Sequence, residues 1–420
     1  MKLFIGKRSS LLDDLVVSLD IGSTTIRVVI AEYNTSGKLH IVGWGSAPSK
    51  GVRVGVITNM EEAIKAVSSA ISAAEQMAGR TVTHLYTGIA GGSIECYNSK
   101  GVVAVTDRGK EITTHDVDRV LEAAKALVIP LDRQILHVIP QEYTIDGQSG
   151  IYDPVNMIGV RLEAEVHIIT CSLTSTDNIV KCVNRGNYYV NEIVLESLAV
   201  SECVLTRDEK ELGVLLIDIG GGTTDVLLHY GGAPYYTNVV PMGGDIFTND
   251  ISKVLNTPIL SAENIKLREG CCVASYVDSE SEIIIPGIAG RPPLTVTKTY
   301  LAEIIEARAC EMFNIIGTEL RRKGFGDKYP GGVVLTGGSS LLPGIADLAT
   351  EILGVQTRIG LPQGVSGLTE ELRHPGFSTA VGLVSFIGKK NKNTVIKRKD
   401  LDSSGPKKEN LFKRVFKHFI

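Results

Sequence analysis

The stretch LLIDIGGGTTD, at Leu215–Asp225, decides how the rest of the chain is interpreted. Its apolar and β-branched residues predict a buried strand that ends at an aspartate, and the glycines after it predict a tight turn. A shorter version, VVSLDIGSTT, lies at Val16–Thr25. The aspartates of the two copies are 198 residues apart (218 − 20). This repetition predicts a duplicated α/β fold whose two halves face each other across a cleft.

Both loops have the composition of a phosphate-binding turn. Glycine has no Cβ, so successive backbone N–H groups can approach an anion, and the neighbouring hydroxyl groups add further donors. The strand aspartates are predicted to hold Mg²⁺ through water, because this cation prefers oxygen ligands. The predicted residues are Asp20, Gly22, Ser23, Thr24 and Thr25 in the first loop and Asp218, Gly220, Gly221, Gly222, Thr223 and Thr224 in the second, with Asp20 and Asp218 nearest the metal.

Length and composition indicate a large soluble protein. A chain of 420 residues is long enough for two or more domains, and 43% hydrophobic with 21% charged residues is typical of globular proteins. The seven cysteines have no zinc-binding spacing, which favours reduced thiols in a cytosol. The N-terminal sequence does not fit a signal peptide, and no apolar run is long enough to span a bilayer.

The charge is unevenly distributed along the chain. Residues 389–420 contain 11 Lys or Arg against 3 Asp or Glu, although the whole chain has a net charge of −4. An acidic body with a basic C-terminal segment argues against nucleic acid as a partner and places any anionic partner at the C-terminal end. Residues 389–407 are polar and lack periodicity, so we expect a disordered linker there.

The last thirteen residues, KENLFKRVFKHFI at 408–420, are predicted to form an amphipathic helix that lies on an anionic membrane. Such a helix is too short to cross the apolar core of a bilayer. Bulky apolar residues on one side and basic residues on the other suit the headgroup plane. Docking on the body or on a partner protein is the alternative. The apolar positions are Leu411, Phe412, Val415, Phe416, Phe419 and Ile420, and the basic positions are Lys413, Arg414 and Lys417.

Other segments are assigned from apolar periodicity and from turn residues. VVLTGGSSLLPGI at 333–345 predicts a strand, a Gly-rich turn and a helix. Residues 190–206 are predicted to form a buried helix that leads to the second loop. Further helices are predicted at 60–79, 114–127, 175–185, 245–256, 261–270, 301–322 and 378–388.

These motifs, in this order, resemble the actin/Hsp70/hexokinase ATPase superfamily and, within it, the FtsA family of bacterial cell-division actins. The closer resemblance depends on HVIPQEYTID, GVRLEAEVHIITC, DIGGGTTD, GRPP and VLTGGSSLLPGI. It extends over about 14–388 and again over 408–420. The implied fold is a duplicated, actin-like (ribonuclease-H-like) α/β fold with a nucleotide cleft, followed by the linker and the amphipathic helix.

The resemblance also implies a division into subdomains. An N-terminal extension would occupy 1–13, and the remaining units are named as in that family. Subdomain 1A would comprise 14–84, 165–205 and 370–388; the inserted subdomain 1C 85–164; subdomain 2A 206–245 and 301–369; and subdomain 2B 246–300. The linker at 389–407 and the membrane-targeting helix at 408–420 would follow.

A set of ligand contacts is implied as well. ATP with Mg²⁺ would lie between the two loops, with the adenosine against Gly337, Gly338 and Ser339. Glu263 and Lys266 would reach the ribose from one face of a helix, because residues three apart are neighbours there. An ordinary solvated ion pair is the alternative for these two residues. No residue is assigned to orient an attacking water, although Asp177 is a candidate by comparison with bacterial actins, so the resemblance implies at most a weak ATPase.

The implied function is that of a cell-division adaptor. Such a protein would polymerise on the cytoplasmic face of the inner membrane at the division site, anchor FtsZ there and recruit later division proteins through 85–164. Arg291 and Lys298 would pair with the acidic C-terminal peptide of FtsZ, although Arg291 could equally be a solvated charge before a turn. The alternatives are an MreB-like membrane filament of another pathway, such as cell shape or pilus assembly, and an actin-fold kinase, for which no general-base aspartate is evident.

Overall fold

The computed structural model describes residues 15–34, 37–105 and 111–402, with side chains to Lys392. The strands are β1 Leu15–Ile21, β2 Thr25–Tyr33, β3 Leu39–Pro48, β4 Val52–Arg53, β5 Val56–Ile57, β6 His84–Ile89, β7 Ile94–Ala104, β8 Arg133–Ile145, β9 Gln148–Ile151, β10 Arg161–Ser172, β11 Tyr189–Leu195, β12 Val214–Ile219, β13 Thr224–Tyr230, β14 Ala233–Val240, β15 Glu282–Ile285, β16 Leu294–Thr297, β17 Val333–Thr336 and β18 Thr357–Ile359.

The helices confirm most of the periodicity-based predictions to within a few residues. They are α1 Met60–Ala78, α2 Thr114–Ala124, α3 Leu173–Arg185, α4 Glu196–Val204, α5 Arg207–Leu212, α6 Gly244–Val254, α7 Ile259–Glu269, α8 Lys298–Arg322, α9 Ile345–Leu353 and α10 Ser378–Asp402.

Two five-stranded sheets have the same topology, which confirms the predicted duplication. Lobe 1 is built on the order β3-β2-β1-β6-β11, and lobe 2 is built on β14-β13-β12-β17-β18. In each sheet the first three strands are antiparallel neighbours and the next two run parallel to the central strand. The central strands β1 and β12 carry the two aspartate motifs. Each glycine loop therefore follows the carboxyl end of the central strand of its sheet.

A third sheet, β7-β10-β8-β9, forms with α2 an insert in lobe 1 that also contacts lobe 2. The side-chain amides of Asn98 and Gln141 donate to the carbonyls of Tyr235 (3.1 Å) and Pro234 (3.0 Å) on β14. His167 is buried, with Nδ1 2.6 Å from Asn98 Oδ1, and burial lowers its pKa to about 4. The insert therefore covers the edge strand of the second sheet, which would otherwise expose unpaired backbone groups.

Helices α4 and α10 pack together between the lobes. Gly382 of α10 permits this contact, because a Cβ there would lie 2.4 Å from the carbonyl oxygen of Ala199 on α4. The predicted helix at 190–206 is wrong in its first part, where β11 pairs with β6 and completes the sheet of lobe 1. Apolar spacing alone could not separate a short buried strand from a buried helix.

The predicted disordered linker is also wrong over 389–402, where α10 continues. Its first residues are held by the body: Lys390 Nζ lies 2.7 Å from Glu192 Oε1, and Lys389 pairs with Glu202. These ion pairs join residues almost two hundred positions apart, so composition gave no indication of them. The predicted membrane helix at 408–420 lies outside the described residues, and no described helix is long and apolar enough to cross a bilayer.

Candidate functional site

The two Gly-rich loops meet across the cleft between the lobes. Side chains of the first loop occupy the space left by glycines of the second: a Cβ on Gly221 would lie 1.9 Å from Thr24 Oγ1, and one on Gly222 would lie 2.6 Å from Ser23 Oγ. Glycine is therefore required at both positions for the lobes to approach this closely. The remaining predicted loop residues, Gly22, Thr25, Gly220, Thr223 and Thr224, lie in the same two turns.

The N-terminus of helix α6 holds the backbone of the second loop. The backbone N–H groups of Gly244 and Asp245 donate to the carbonyls of Gly220 and Gly221, each at 2.8 Å. The Asp245 carboxylate in turn lies 3.5 Å from the hydroxyl of Thr24 on the opposite lobe. The backbone of the second loop is thus held by the N-terminus of a helix, and the first loop contacts the same helix through a side chain.

Four acidic side chains converge beneath the loops. Burial raises the pKa of Asp20 to about 6, against the effect of Arg27, whose Nη1 lies 3.9 Å from Asp20 Oδ2. Burial and the neighbouring Asp20 raise the pKa of Asp218 to about 7. Burial and the charge of Asp218 raise the pKa of Asp225 to about 8. Burial and the charges of the three aspartates raise the pKa of Glu196 well above its ordinary value.

This cluster has unused capacity for a cation. Asp225 Oδ1 is buried and has no hydrogen-bond partner among the described residues. Mutual repulsion between buried carboxylates is relieved either by protons or by a positive ion. Within the described part of the chain, no three His, Cys, Asp or Glu side chains are placed to hold a metal ion directly. The carboxylate oxygens of the four acids are donors that suit a hard cation.

A cavity of about 40 Å³ lies beside this cluster. Gly22, Ser23 and Thr223 from the loops line it, together with Glu196 at the start of α4. Glu196 is accommodated by Gly88 on β6, where a Cβ would lie 2.5 Å from Glu196 Cγ. The cavity is large enough for water, and its lining combines aliphatic side chains with the polar groups of Ser23, Thr223 and Glu196, so a carboxylate lies next to the space between the two loops.

The third glycine turn, for which the sequence predicts a contact with adenosine, lies against the second loop. Gly337 has φ 84°, and a Cβ there would lie 2.3 Å from Asp218 Oδ1. The hydroxyl of Ser339 donates to the carbonyl of Gly220 at 3.1 Å, whereas the Cβ position of Gly338 is open. This turn therefore lies next to the second loop and forms the adjoining part of the cleft wall.

Lys266 and Glu263 lie on α7, next to helix α6. They form an ion pair on α7, with Lys266 Nζ 2.7 Å from Glu263 Oε2. Lys266 is buried and also donates to the carbonyl of Gly244 (3.0 Å) and to Thr248 Oγ1 (2.9 Å). The pair is consequently part of the support for α6 and the second loop. It is not an ordinary solvated ion pair, which was the alternative in the sequence analysis.

Other predicted residues lie elsewhere. Arg291 is exposed in the turn between β15 and β16, and Lys298, at the start of α8, pairs with Glu269 at 2.6 Å. Asp177 is exposed on α3. The predicted membrane residues 411–420 are outside the described residues.

Sequence reasoning missed Glu196 and Asp225 as site residues. Glu196 was placed inside a continuous helix, although it lies at the junction of β11 and α4. Asp225 closes the motif LLIDIGGGTTD, and a second acid in a strand that faces a first could have been a signal. The register of β12 against β13, which pairs Asp218 with Asp225, makes the relation explicit.

Comparison with known proteins agrees with this geometry. The family model described as "Cell division protein FtsA" matches residues 215–382, and the model "SHS2 domain inserted in FTSA" matches residues 91–170. The cell division protein FtsA of Borreliella burgdorferi is 46% identical over 386 residues, which cover 92% of this chain and 94% of that protein.

Solved structures extend the comparison to the fold. The PilM–PilN type IV pilus biogenesis complex matches with a TM-score of 0.65 at 16% identity, over 89% of this chain and 98% of that chain. MreB5 of Spiroplasma citri bound to ADP matches with a TM-score of 0.56 at 14% identity, over 91% and 98%. Two lobes of equal topology around a cleft with paired glycine loops define an actin-like fold. The chain belongs to the FtsA family of cell-division proteins.

Proposed function

We propose that the chain binds ATP with Mg²⁺ in the cleft between the lobes. The observation that carries this proposal is the apposition of two glycine loops next to four acidic side chains, of which Asp20 and Asp225 are buried, and Asp225 has an oxygen with no hydrogen-bond partner among the described residues. Backbone N–H groups and hydroxyls of the loops would hold the phosphates, and Asp20 and Asp218 would hold the hydrated cation. The structural similarity to MreB5, which is described as bound to ADP, supports the proposal of an adenine nucleotide.

The adenosine would lie against Gly337, Gly338 and Ser339, with Glu263 and Lys266 near the ribose. The open Cβ position of Gly338 leaves room for a flat ring close to the backbone. Glu196 is better placed than the exposed Asp177 to orient a water at the terminal phosphate, because it lines the cavity between the loops. Nucleotide would act here chiefly by setting the relative position of the lobes.

Membership of the FtsA family supports the further proposal of an adaptor at the division site. The chain would polymerise on the cytoplasmic face of the membrane, anchor FtsZ and recruit later division proteins. A short amphipathic tail binds a membrane weakly, since helix formation consumes part of the gain from burial. A filament that presents many tails binds strongly through effective concentration, so polymerisation and membrane attachment would be coupled.

Co-sedimentation of FtsZ with anionic liposomes tests this function. We expect FtsZ to pellet with the liposomes when the intact chain and ATP are present, and to stay in the supernatant when residues 408–420 are deleted. Deletion should leave ATP binding intact. Pelleting of the chain without FtsZ would indicate a membrane actin of another pathway, and pelleting of the deletion variant would exclude the tail as the anchor.

The FtsZ peptide would dock near Arg291. Lys298 is already paired with Glu269, so the exposed Arg291 is more available to an acidic peptide. Arg291→Glu should weaken peptide binding without reducing ATP affinity. Arg207→Glu is the control, because Arg207 is similarly exposed on α5. Equal peptide affinity of the wild type and Arg291→Glu would remove Arg291 from the binding site.

A further inference from the structure

A two-strand hairpin, β4–β5, connects β3 of lobe 1 to α1 along the chain. Its turn residues Val54 (φ 49°) and Gly55 (φ 71°) are both left-handed. Two residues with positive φ define the type I′ turn, in which asparagine and glycine are the preferred pair. Valine is unfavourable there because its branched Cβ crowds the backbone. Strain of this kind persists only where the surrounding structure holds it, and it concentrates at ligand clamps and switch regions.

The tip of this hairpin contacts both glycine loops. The backbone N–H of Gly55 donates to Ser23 Oγ at 2.9 Å. On the other lobe, a Cβ added to Gly222 would lie 2.9 Å from Val54 Cα. Val52, Gly55 and Ile57 also line the 40 Å³ cavity that contains Glu196. The tip therefore closes one end of the space between the loops.

The hairpin also brings a cation to an acidic cleft. Arg53 is exposed on β4, beside the tip. Its charge acts on Asp245 of lobe 2: burial raises the pKa of Asp245, whereas Lys266, the hydrogen bond from Thr24 and, to the smallest extent, Arg53 lower it, and Glu263 raises it. Two further cations near the cleft are already engaged, because Arg27 lies beside Asp20 and Lys266 pairs with Glu263. An anion between the loops would thus meet the positive charge of Arg53 from the side of the hairpin.

We propose that the β4–β5 hairpin is a flap that closes on the terminal phosphate and makes the site distinguish a nucleoside triphosphate from a diphosphate. This proposal rests on the nucleotide site proposed above. Gly55 is a positioning residue that orients the Ser23 hydroxyl, and Arg53 offers charge to the third phosphate. Ser23 and Gly222, which the tip contacts, flank the place of that phosphate. A diphosphate ends before this point and does not meet the flap.

The first test compares two alanine substitutions at glycines with the same φ. Gly55→Ala places a Cβ 3.2 Å from Gly91 Cα, so the tip and Gly91 must separate by a few tenths of an ångström, whereas Gly37→Ala meets nothing within 4 Å. Both glycines have φ 71°, so the backbone penalty is matched. With Mg²⁺ present, we expect Gly55→Ala to weaken ATP binding by about fivefold or more and ADP binding by less than about twofold. Gly37→Ala should keep both affinities.

The second test removes the charge without altering the turn. Arg53→Ala should lower the ratio of ATP to ADP affinity by about fivefold, and Arg53→Lys should restore part of it. Arg80→Ala is the charge-matched control, because Arg80 pairs with Glu32 at the opposite end of the lobe 1 sheet. If both Gly55→Ala and Arg53→Ala kept the wild-type ratio of ATP to ADP affinity, the flap proposal would be overturned while the nucleotide site would stand. A wild-type chain that binds neither nucleotide would overturn the proposed site and the flap together.

Discussion

The two glycine loops have equivalent positions in the duplicated sheets but different side chains. The first loop has one glycine followed by Ser23 and Thr24, and the second has three consecutive glycines. In the folded chain this difference is complementary, because the hydroxyl side chains of one loop fill the positions where the other has no Cβ. The duplication has therefore kept the topology of the two halves and divided the roles of their loops.

The two strand aspartates differ in the same way. Asp20 lies beside a cation, Arg27, which opposes the effect of burial on its pKa. Asp218 lies in the field of Asp20 and has the higher pKa, about 7 against about 6. Equivalent positions in the two sheets thus have unequal electrostatics, because Arg27 lies beside Asp20 within lobe 1, whereas the charge of Asp20 acts on Asp218 from the opposite lobe. Substitutions in the two loops test whether their roles differ as this geometry indicates.

The largest effect is expected from Gly221→Ala. The new Cβ would collide with Thr24 Oγ1, so the lobes could not reach their present separation. We expect ATP affinity to fall by at least about tenfold, as measured by calorimetry. Thr24→Ala in the same chain should recover part of the loss, because it removes the atom in collision. Additive losses in the double variant would contradict the proposed complementarity of the loops.

A smaller effect is expected on the pH dependence of stability. The raised pKa values mean that folded Asp218 and Asp225 hold protons that the unfolded chain has already released, so the free energy of unfolding falls as pH rises from about 4 to about 8. Asp225→Asn removes one such group. Without nucleotide, its melting temperature should decline less steeply over this range than that of the wild type.

Asp208→Asn, at an exposed aspartate on α5, is the matched control for that measurement. It should reproduce the wild-type slope. Adding Mg²⁺ should reduce the slope of the wild type, because the cation replaces protons as the partner of the carboxylates. A slope that is the same in Asp225→Asn and the wild type would show that the acid cluster does not control this pH dependence.

The smallest effect is expected from Arg27→Gln. Arg27 lowers the pKa of both aspartates, but its guanidinium lies beside Asp20, so removing it should raise the pKa of Asp20 more than that of Asp218 and narrow the difference between them. Carboxyl chemical shifts of labelled aspartates, followed as pH is varied, would report both groups. Should the two pKa values remain apart in this variant, the difference between the loops would have another origin than Arg27.

Several features could be predicted from sequence because their cause is local. The strand, aspartate and glycine order of both loops is written in consecutive residues, and so is the apolar period of α1, α6 and α8. Repetition of the motif was sufficient to predict the duplicated sheets. The turn at Gly337–Ser339 was also predictable, since its conformational requirement for glycine is local.

Other features depend on residues that are distant in sequence. Glu196 joins the acid cluster because β11 ends beside β6, and Gly88 leaves room for its side chain. The continuation of α10 past Gly388 depends on Glu192 and Glu202, which lie almost two hundred residues earlier. The contacts of the β4–β5 tip with both loops also join residues that are distant in the sequence.

Sequence alone thus determined the architecture, the family and the identity of the glycine loops, because strand patterns and glycine requirements are carried by neighbouring residues. Only the tertiary structure decided which acids share one site, which loop supplies side chains and which supplies space, and where the flap lies. Those properties arise from burial and electrostatic interactions between lobes, and both depend on distances that no spacing along the chain encodes.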